Sequence, residues 1–390
     1  MMMSYDSKLS IVYNYLTIEA LEDGLNAKLS NRAVEYCVDG DGDWKTLAAN
    51  TTTERINAGQ TLSFRGNLTP ASYSGIGTFT ITRKCNLKGN CNSLLFGDDA
   101  ASNNSLSGKD YAFSKLFASC LNIVSAKNLI LPATTLAKYC YQSMFQNCTS
   151  LTTAPAVLPA TTLADFCYCD MFDSCKALIT APKILPATTL AKSCYTQMFM
   201  DCSSLTSAPT LLATTMEANC CQRMFSNCSS LSTAPELPAT TLADYCYHQM
   251  FYKCTSLTTA PTLPATTLAN NCCSYMFTYC TSLTTAPKIL PATTLVYGCY
   301  SYMFEGCTSL TTAPELPAIT LTTFCYSEMF YGCSKLNYIK MLATDISKTG
   351  CLGDWVSGVS STGTFIKNPA MTSLPTGTSG IPSGWTVQNA

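Results

Sequence analysis

Leu131–Pro155 reads LPATTLAKYCYQSMFQNCTSLTTAP, and this stretch decides the fold because the chain keeps restating it. The period is 26 or 27 residues. The first cysteine of each copy falls at Cys140, Cys167, Cys194, Cys220, Cys246, Cys272, Cys299 and Cys325. The second follows eight residues later, at Cys148, Cys175, Cys202, Cys228, Cys254, Cys280, Cys307 and Cys333. A degenerate copy opens the series, with Ala112-Phe113 in place of Cys-Tyr, then Leu116, Phe117 and Cys120. A unit this short cannot bury its own apolar face. Stacked units fuse their Leu, Met, Phe and Cys columns into one core, and atypical end units are the mark of such an array.

Within a unit, Cys140, Met144 and Cys148 are spaced i, i+4, i+8, and Tyr141 with Phe145 adds a second i, i+4 pair. This spacing predicts a short two-turn helix with one apolar stripe. The preceding Thr-Thr reads as its N-cap, and Thr162 with Asp165, or Thr241 with Asp244, has capping-box spacing. The Ser-Leu-Thr-Thr-Ala run then supplies a strand that ends at the next proline, which has no N–H for a ladder. The fold class expected is an α/β solenoid: about nine 26–27-residue coils, each adding one strand to a parallel ladder and one short helix.

Composition sets the boundaries. Residues 1–111 hold ten of the 20 glycines, while 14 of the 18 prolines and 20 of the 24 cysteines fall within 112–335. Three parts follow: a β-rich N-terminal domain over 1–104, the repeat array over 105–335 and a C-terminal cap over 336–390. Tyr15–Ala20, Ala33–Val38, Thr61–Arg65 and Gly77–Arg83 are short, rich in Thr, Val, Ile and aromatics, and separated by Gly, Asn and Asp. They read as antiparallel strands of a small β-sandwich-like domain.

The 390 residues carry 23 basic and 24 acidic groups and a single histidine, His248. A net charge of −1 excludes a nucleic-acid scaffold, which needs a basic face. One histidine leaves no multi-histidine metal site. No apolar run reaches the roughly 18 residues a membrane span requires, so membrane insertion is not expected. Met1–Ala20 lacks the layout of an export leader. There is no phosphate-binding Gly loop, nucleophile elbow or Cys-x-x-Cys, so the reading is of a protein without catalytic, cofactor or metal site. Asp39–Asp43 alternates acids like a calcium loop but has Trp44 where glycine is required, and a hairpin turn explains it equally well. Asp98-Asp99 reads as a turn or junction. The repeat cysteines read mainly as reduced core thiols, with bridges between coils or between Cys85 and Cys91 as the alternative. His248 occupies a slot shared with Gln142, Thr196, Gln222 and Ser274, which reads as facing solvent.

At this point the array resembles the BspA-like branch of the leucine-rich repeat proteins, whose repeats carry Ala-Phe-x-x-Cys-x-x-Leu. Tyr111-Ala112-Phe113 keeps the older form, and Met-Phe-x-x-Cys-Thr-Ser-Leu keeps the rest with a three-residue expansion. Tyr15–Gly24 is also similar to the Tyr-Leu-x-x-Glu-Ala-Leu-Glu-Asp-Gly stretch of leaderless proteins from gut Bacteroides and their phages. The resemblance implies a surface-displayed adhesion protein. Without a leader, display on a phage virion competes with display on a bacterial surface.

The columns that vary between repeats flank the Cys-Tyr and Met-Phe pairs. The recognition residues expected there are Tyr139, Tyr245, Tyr252, Asn271, Tyr279, Tyr297 and Tyr331. Exposed tyrosine gives large contact area at small entropic cost, the chemistry of adaptable binding surfaces. The function expected is non-enzymatic recognition of a cell-surface glycan or protein. In this reading the N-terminal domain anchors the chain to other virion or envelope proteins, and homo-oligomer formation is left open. The alternatives are a virion decoration or fibre protein whose solenoid is only a spacer, and a glycan hydrolase with its acids in the N-terminal domain.

Overall fold

The computed structural model describes residues 14–390, so most of the leader reading of Met1–Ala20 lies outside the described residues. Two compact units divide the chain. Unit 1 runs to Ala187 and takes in Asp201–Leu205; unit 2 comprises Thr188–Met200 and Thr206–Ala390.

Unit 1 begins with β1 (Leu16–Ala20), β2 (Ala27–Leu29), β3 (Val34–Val38), β4 (Lys45–Leu47), β5 (Thr61–Arg65), β6 (Phe79–Ile81) and β7 (Cys85–Asn90). β1, β3, β5 and β6 fall within the four segments expected from the sequence, whereas β2 and β7 were not expected; apolar side chains alternate inward along β1, β5 and β7. With β8 (Ile123–Ile130) they form a six-stranded sheet of order β4-β3-β5-β1-β7-β8, while β2 and β6 pair separately. Phe64 on β5 meets Phe79 on β6 edge-on at 5.1 Å, joining the two sheets. The Asp39–Asp43 segment is the β3–β4 turn. Asp39 accepts from the Thr61 N–H and Gln60 Nε2, and Asp41 from the Asp43 N–H. Asp98 and Asp99 lie in a 3-10 turn, Gly97–Ser102.

The repeats of both units have the parallel ladder but not the helix. Isolated parallel bridges join Thr135 to Thr162 and Thr153 to Thr180 in unit 1. In unit 2 they join Thr189 to Thr215, Ser207 to Thr233, Thr241 to Thr267 and Thr259 to Thr285. The threonines read as helix caps are therefore ladder residues. Short extended pairs also occur, β9 (Ile184–Leu185) in unit 1 and β10 (Thr210–Leu211) in unit 2.

Where the helix was expected, the chain makes a run of four-residue turns. Tyr139, Ser143 and Asn147 have φ of 58°, 52° and 59°, so every fourth residue is left-handed. Alternate N–H groups close these turns: Gln142 to the Tyr139 carbonyl, Met144 to Tyr141, Gln146 to Ser143. The others reach the next repeat: Tyr141 to the Cys167 carbonyl, Ser143 to Cys169, Phe145 to Met171. Unit 2 repeats the scheme, with Tyr247 donating to Cys272, Gln249 to Ser274 and Phe251 to Met276. Two residues face in and two out per turn, a period of 4.0 that a short window does not separate from the helical 3.6. The deciding quantity is width. Bridged strands sit about 4.8 Å apart, whereas a helix with its side chains is about 10–12 Å across. The phenylalanine rings of neighbouring repeats are 5.4–5.8 Å apart, which leaves no room for helices side by side.

The inward columns are continuous. In unit 1 Phe79, Phe117, Phe145 and Phe172 stack face to face, so β6 of the separate β2–β6 pair supplies the first ring of the array. In unit 2 Phe199, Phe225, Phe251, Phe277, Phe304 and Phe330 do the same and end on Trp355, which meets Phe365 edge-on. Residues 350–358 make one more set of turns, with Gly350, Asp354 and Gly358 left-handed and Tyr326, Glu328 and Phe330 donating to Cys351, Gly353 and Trp355. Sequence reading missed this turn face because Cys351-Leu352 and Trp355-Val356 replace Cys-Tyr and Met-Phe. The parallel strands β11 (Tyr338–Met341), β12 (Thr364–Lys367) and β13 (Thr386–Asn389) complete unit 2.

All 24 cysteines are free and buried. The second-cysteine column has a specific task. Each thiol donates to a phenylalanine carbonyl of the preceding repeat, as Cys148 to Phe117 at 3.1 Å, Cys254 to Phe225 at 3.1 Å and Cys333 to Phe304 at 3.0 Å. Cys120 does the same to the Phe79 carbonyl at 2.8 Å. A leucine here would overfill the site and donate nothing. Phe251 is fully buried between Phe225 and Phe277. Phe251→Ala is expected to cost about 3–5 kcal/mol in urea unfolding; a loss near zero would show that the ring column does not hold the repeats together.

Candidate recognition surface

Most left-handed residues of the turns reach the surface, although Ser143 and Ser193 are buried, so the turns generate three largely exposed columns. The first holds Tyr111, Tyr139 and Phe166 in unit 1 and the buried Ser193, then Asn219, Tyr245, Asn271, Gly298 and Phe324 in unit 2. The second includes Arg223, Gln249, Tyr275, Tyr302 and Glu328, and the third Asn227, Lys253, Tyr279, Gly306 and Gly332. Left-handed backbone costs a non-glycine residue roughly 1–2 kcal/mol, and the lateral hydrogen bonds hold it in place. The backbone does not dictate the side chain there, which is why these columns vary far more than the inward ones, whose Tyr position changes only to Cys221 and Cys273 among the full repeats.

Tyr139 belongs to unit 1, where it stacks between Tyr111 at 4.6 Å and Phe166 at 4.9 Å. The other expected residues lie in unit 2. Tyr245 is exposed and meets His248 edge-on at 5.6 Å. Tyr252 and Tyr279 meet edge-on at 6.0 Å, and the Lys253 ammonium lies 5.1 Å and 5.9 Å from their ring centres. The Tyr279 hydroxyl donates to Glu305 at 2.9 Å. Tyr297 is half exposed and edge-on to Phe324 at 5.8 Å, and Tyr331 is exposed.

Of the seven, Asn271 and Tyr297 share one cleft, of about 370 Å³. Tyr275, Ser301, Tyr302, Phe324, Ser327 and Glu328 complete its lining together with Gly298. Tyr275 and Tyr302 stack at 4.3 Å, and the Tyr302 hydroxyl donates to Glu328 at 2.6 Å. Sequence reasoning missed Tyr275, Tyr302 and Glu328 because they occupy the column between Cys-Tyr and Met-Phe, which a helix would have made one more solvated position. The available signal was the run Gln249, Tyr275, Tyr302, Glu328 at the repeat period.

Glycines shape this surface. A Cβ on Gly298 would lie 2.4 Å from Asn271 Oδ1, one on Gly306 2.4 Å from the Tyr279 ring, and one on Gly350 2.3 Å from the Phe324 ring. In each case a glycine lets a large side chain of the previous repeat lie down along the array. The slot read as solvent-facing is instead tucked in: Ser274 and Thr196 are buried, and the half-buried His248 bonds Ser274 Oγ at 2.6 Å. The left-handed residue that follows turns the chain so that this position faces the neighbouring repeat. Burial, aided by Arg223, pushes the His248 pKa down to about 4.

A second cleft, of about 520 Å³, lies in unit 1 among Glu35, Arg65, Asp98 and Asp99. Three of these charges pair: Arg65 bonds Glu35 at 2.8 Å and Asp98 at 2.9 Å and lies over the Trp44 ring. Among the described residues, no cluster of three or more His, Cys, Asp or Glu side chains could hold a metal ion, and no helix is long and apolar enough to cross a membrane.

No family model matches the chain, and no curated protein matches it. A similar solved structure is a leucine-rich repeat protein from Bacteroides ovatus, at 16% identity and a TM-score of 0.29, over 67% of this chain and 82% of that one. A likeness at that score carries no argument, so the repeat architecture rests on the bridges and ring columns described above.

Two outcomes follow from this geometry. Gly306→Ala forces a Cβ into the Tyr279 ring on a left-handed backbone, and a stability loss of about 1–2 kcal/mol is expected, with Tyr279 displaced in a crystal structure of the variant. For His248, the folded-state value of about 4 lies below the ordinary 6.5, so the native state binds the proton less well. Stability is therefore full above pH 6.5 and falls as pH drops from 6.5 towards 4. His248→Gln is expected to flatten that part of the stability profile in denaturant titrations; an unchanged slope would contradict the burial argument.

Proposed function

We propose that this is a non-enzymatic recognition protein that binds a cell-surface glycan through the outward aromatic columns of its repeats. One observation carries the reading: exposed and half-exposed rings gather with Asn271, Ser301, Ser327 and Glu328 around one cleft of unit 2. Flat rings beside short polar groups suit sugars, whose C–H faces pack on aromatics while hydroxyls find hydrogen bonds. The inward chemistry supports a scaffold role, since burial pushes thiols such as Cys148 and Cys254 well above their usual range, away from nucleophilic use.

In this reading the repeats are displayed on a phage virion or a bacterial surface, with the N-terminal strands as the attachment module. The spacer reading, a virion decoration or fibre protein, predicts no ligand at all. The test is binding of the full chain to a glycan array and to intact bacterial cells. Micromolar binding is expected, weakened about tenfold or more by Tyr279→Ala with Tyr297→Ala, since each ring contributes roughly 0.5–1.5 kcal/mol beyond its buried area. No binding at any concentration would favour the spacer, and undiminished binding by the double variant would move the ligand off these columns.

A further inference from the structure

The cleft of unit 2 has a charge character as well as a shape. Four aromatic rings line it, Tyr275, Tyr297, Tyr302 and Phe324, together with one carboxylate, Glu328, and no lysine or arginine. Glu328 accepts the Tyr302 hydroxyl, and Glu305 nearby accepts that of Tyr279. Among the described residues neither carboxylate has an ion-pair partner. Burial raises the Glu305 pKa, and the charge of Glu328 adds to the rise, so the two acids share one electrostatic field.

We infer that the cleft seats a positively charged amine, and that the glycan selected carries free amino groups, as in unacetylated amino sugars; this rests on the glycan reading above. Two physical arguments lead there. A ring face attracts a cation through its quadrupole, and rings arranged around a carboxylate form the cage that ammonium groups occupy. The same surface already does this once, since the Lys253 ammonium lies against Tyr252 and Tyr279. The second argument is desolvation. A neutral sugar covering half-buried Glu328 returns hydroxyl hydrogen bonds but leaves the charge uncompensated, whereas an ammonium gives a charge-assisted bond and neutralises it as well. Gly298 keeps the floor of the cleft open, because any Cβ there would collide with Asn271.

The test is calorimetric titration of the full chain with a glucosamine tetrasaccharide, its N-acetylated counterpart and tetramethylammonium, each at low salt. The amine-bearing sugar is expected to bind about tenfold more tightly than the acetylated one. Glu328→Gln keeps the acceptor for Tyr302 and the unfolding midpoint, and is expected to abolish that preference. Tyr297→Ala, whose ring is half exposed, is expected to weaken both sugars alike. Equal affinity for the two sugars, or a preference that survives Glu328→Gln, overturns the amine while leaving glycan recognition standing. Binding of tetramethylammonium with neither sugar keeps the cationic site and removes the glycan. No binding by any of the three overturns the cationic site itself.

Discussion

Within each unit, alternate backbone N–H groups of the turn face donate to carbonyls one repeat further on, and the remaining architecture depends on that lateral bond. It fixes the separation of repeats at the spacing of paired strands. That separation then excludes a helix, brings the phenylalanine rings into face-to-face stacks and makes each N–H between the ring columns satisfied either by a turn or by a neighbour. The threonine bridges on the other side of the repeat act in the same direction, so both sides of the coil are hydrogen-bonded laterally.

The composition follows from this geometry. A turn of four residues with two facing inward leaves a shallow interior, filled by Cys, Tyr, Met and Phe in order, with Cys221 and Cys273 in the Tyr place of two repeats. Cysteine is favoured because it is small and still donates, closing a hydrogen bond to the phenylalanine carbonyl of the preceding repeat. The abundance of cysteine therefore measures the number of turn faces and needs no oxidising compartment. Threonine and serine on the ladder side hold the charge low for the same structural reason.

The ends of the ring columns show how a repeat is stopped. In unit 1 Phe79 comes from the antiparallel β2–β6 pair, so a non-repeating part of the unit provides the first ring. In unit 2 Trp355 and Phe365 terminate the stack, and Trp355 Nε1 donates to the Gly380 carbonyl at 2.9 Å. Larger rings and polar anchors replace the repeat signature where no further repeat follows. On the outside, the backbone alone is regular. Each left-handed position presents whatever side chain the sequence places there, and the occasional glycine converts a protrusion into a cleft, as Gly298 does beside Asn271.

The sequence by itself determined the repeat, its period, the inward columns and the strands β1, β3 and β5 of the N-terminal sheet, because burial leaves a periodic trace in residue type. It also marked Asn271 and Tyr297, since variation at a fixed repeat position points outward. Tertiary structure alone decided between helix and serial turns: 3.6 and 4.0 residues per turn bury the same Cys140, Met144 and Cys148, and only the spacing between repeats separates them. For the same reason it alone assembled Tyr275, Tyr302 and Glu328 into the cleft and tucked His248 against Ser274. The inward pattern is written within one repeat, whereas the surface is written across three, and the chain shows how those lie together only once it is stacked.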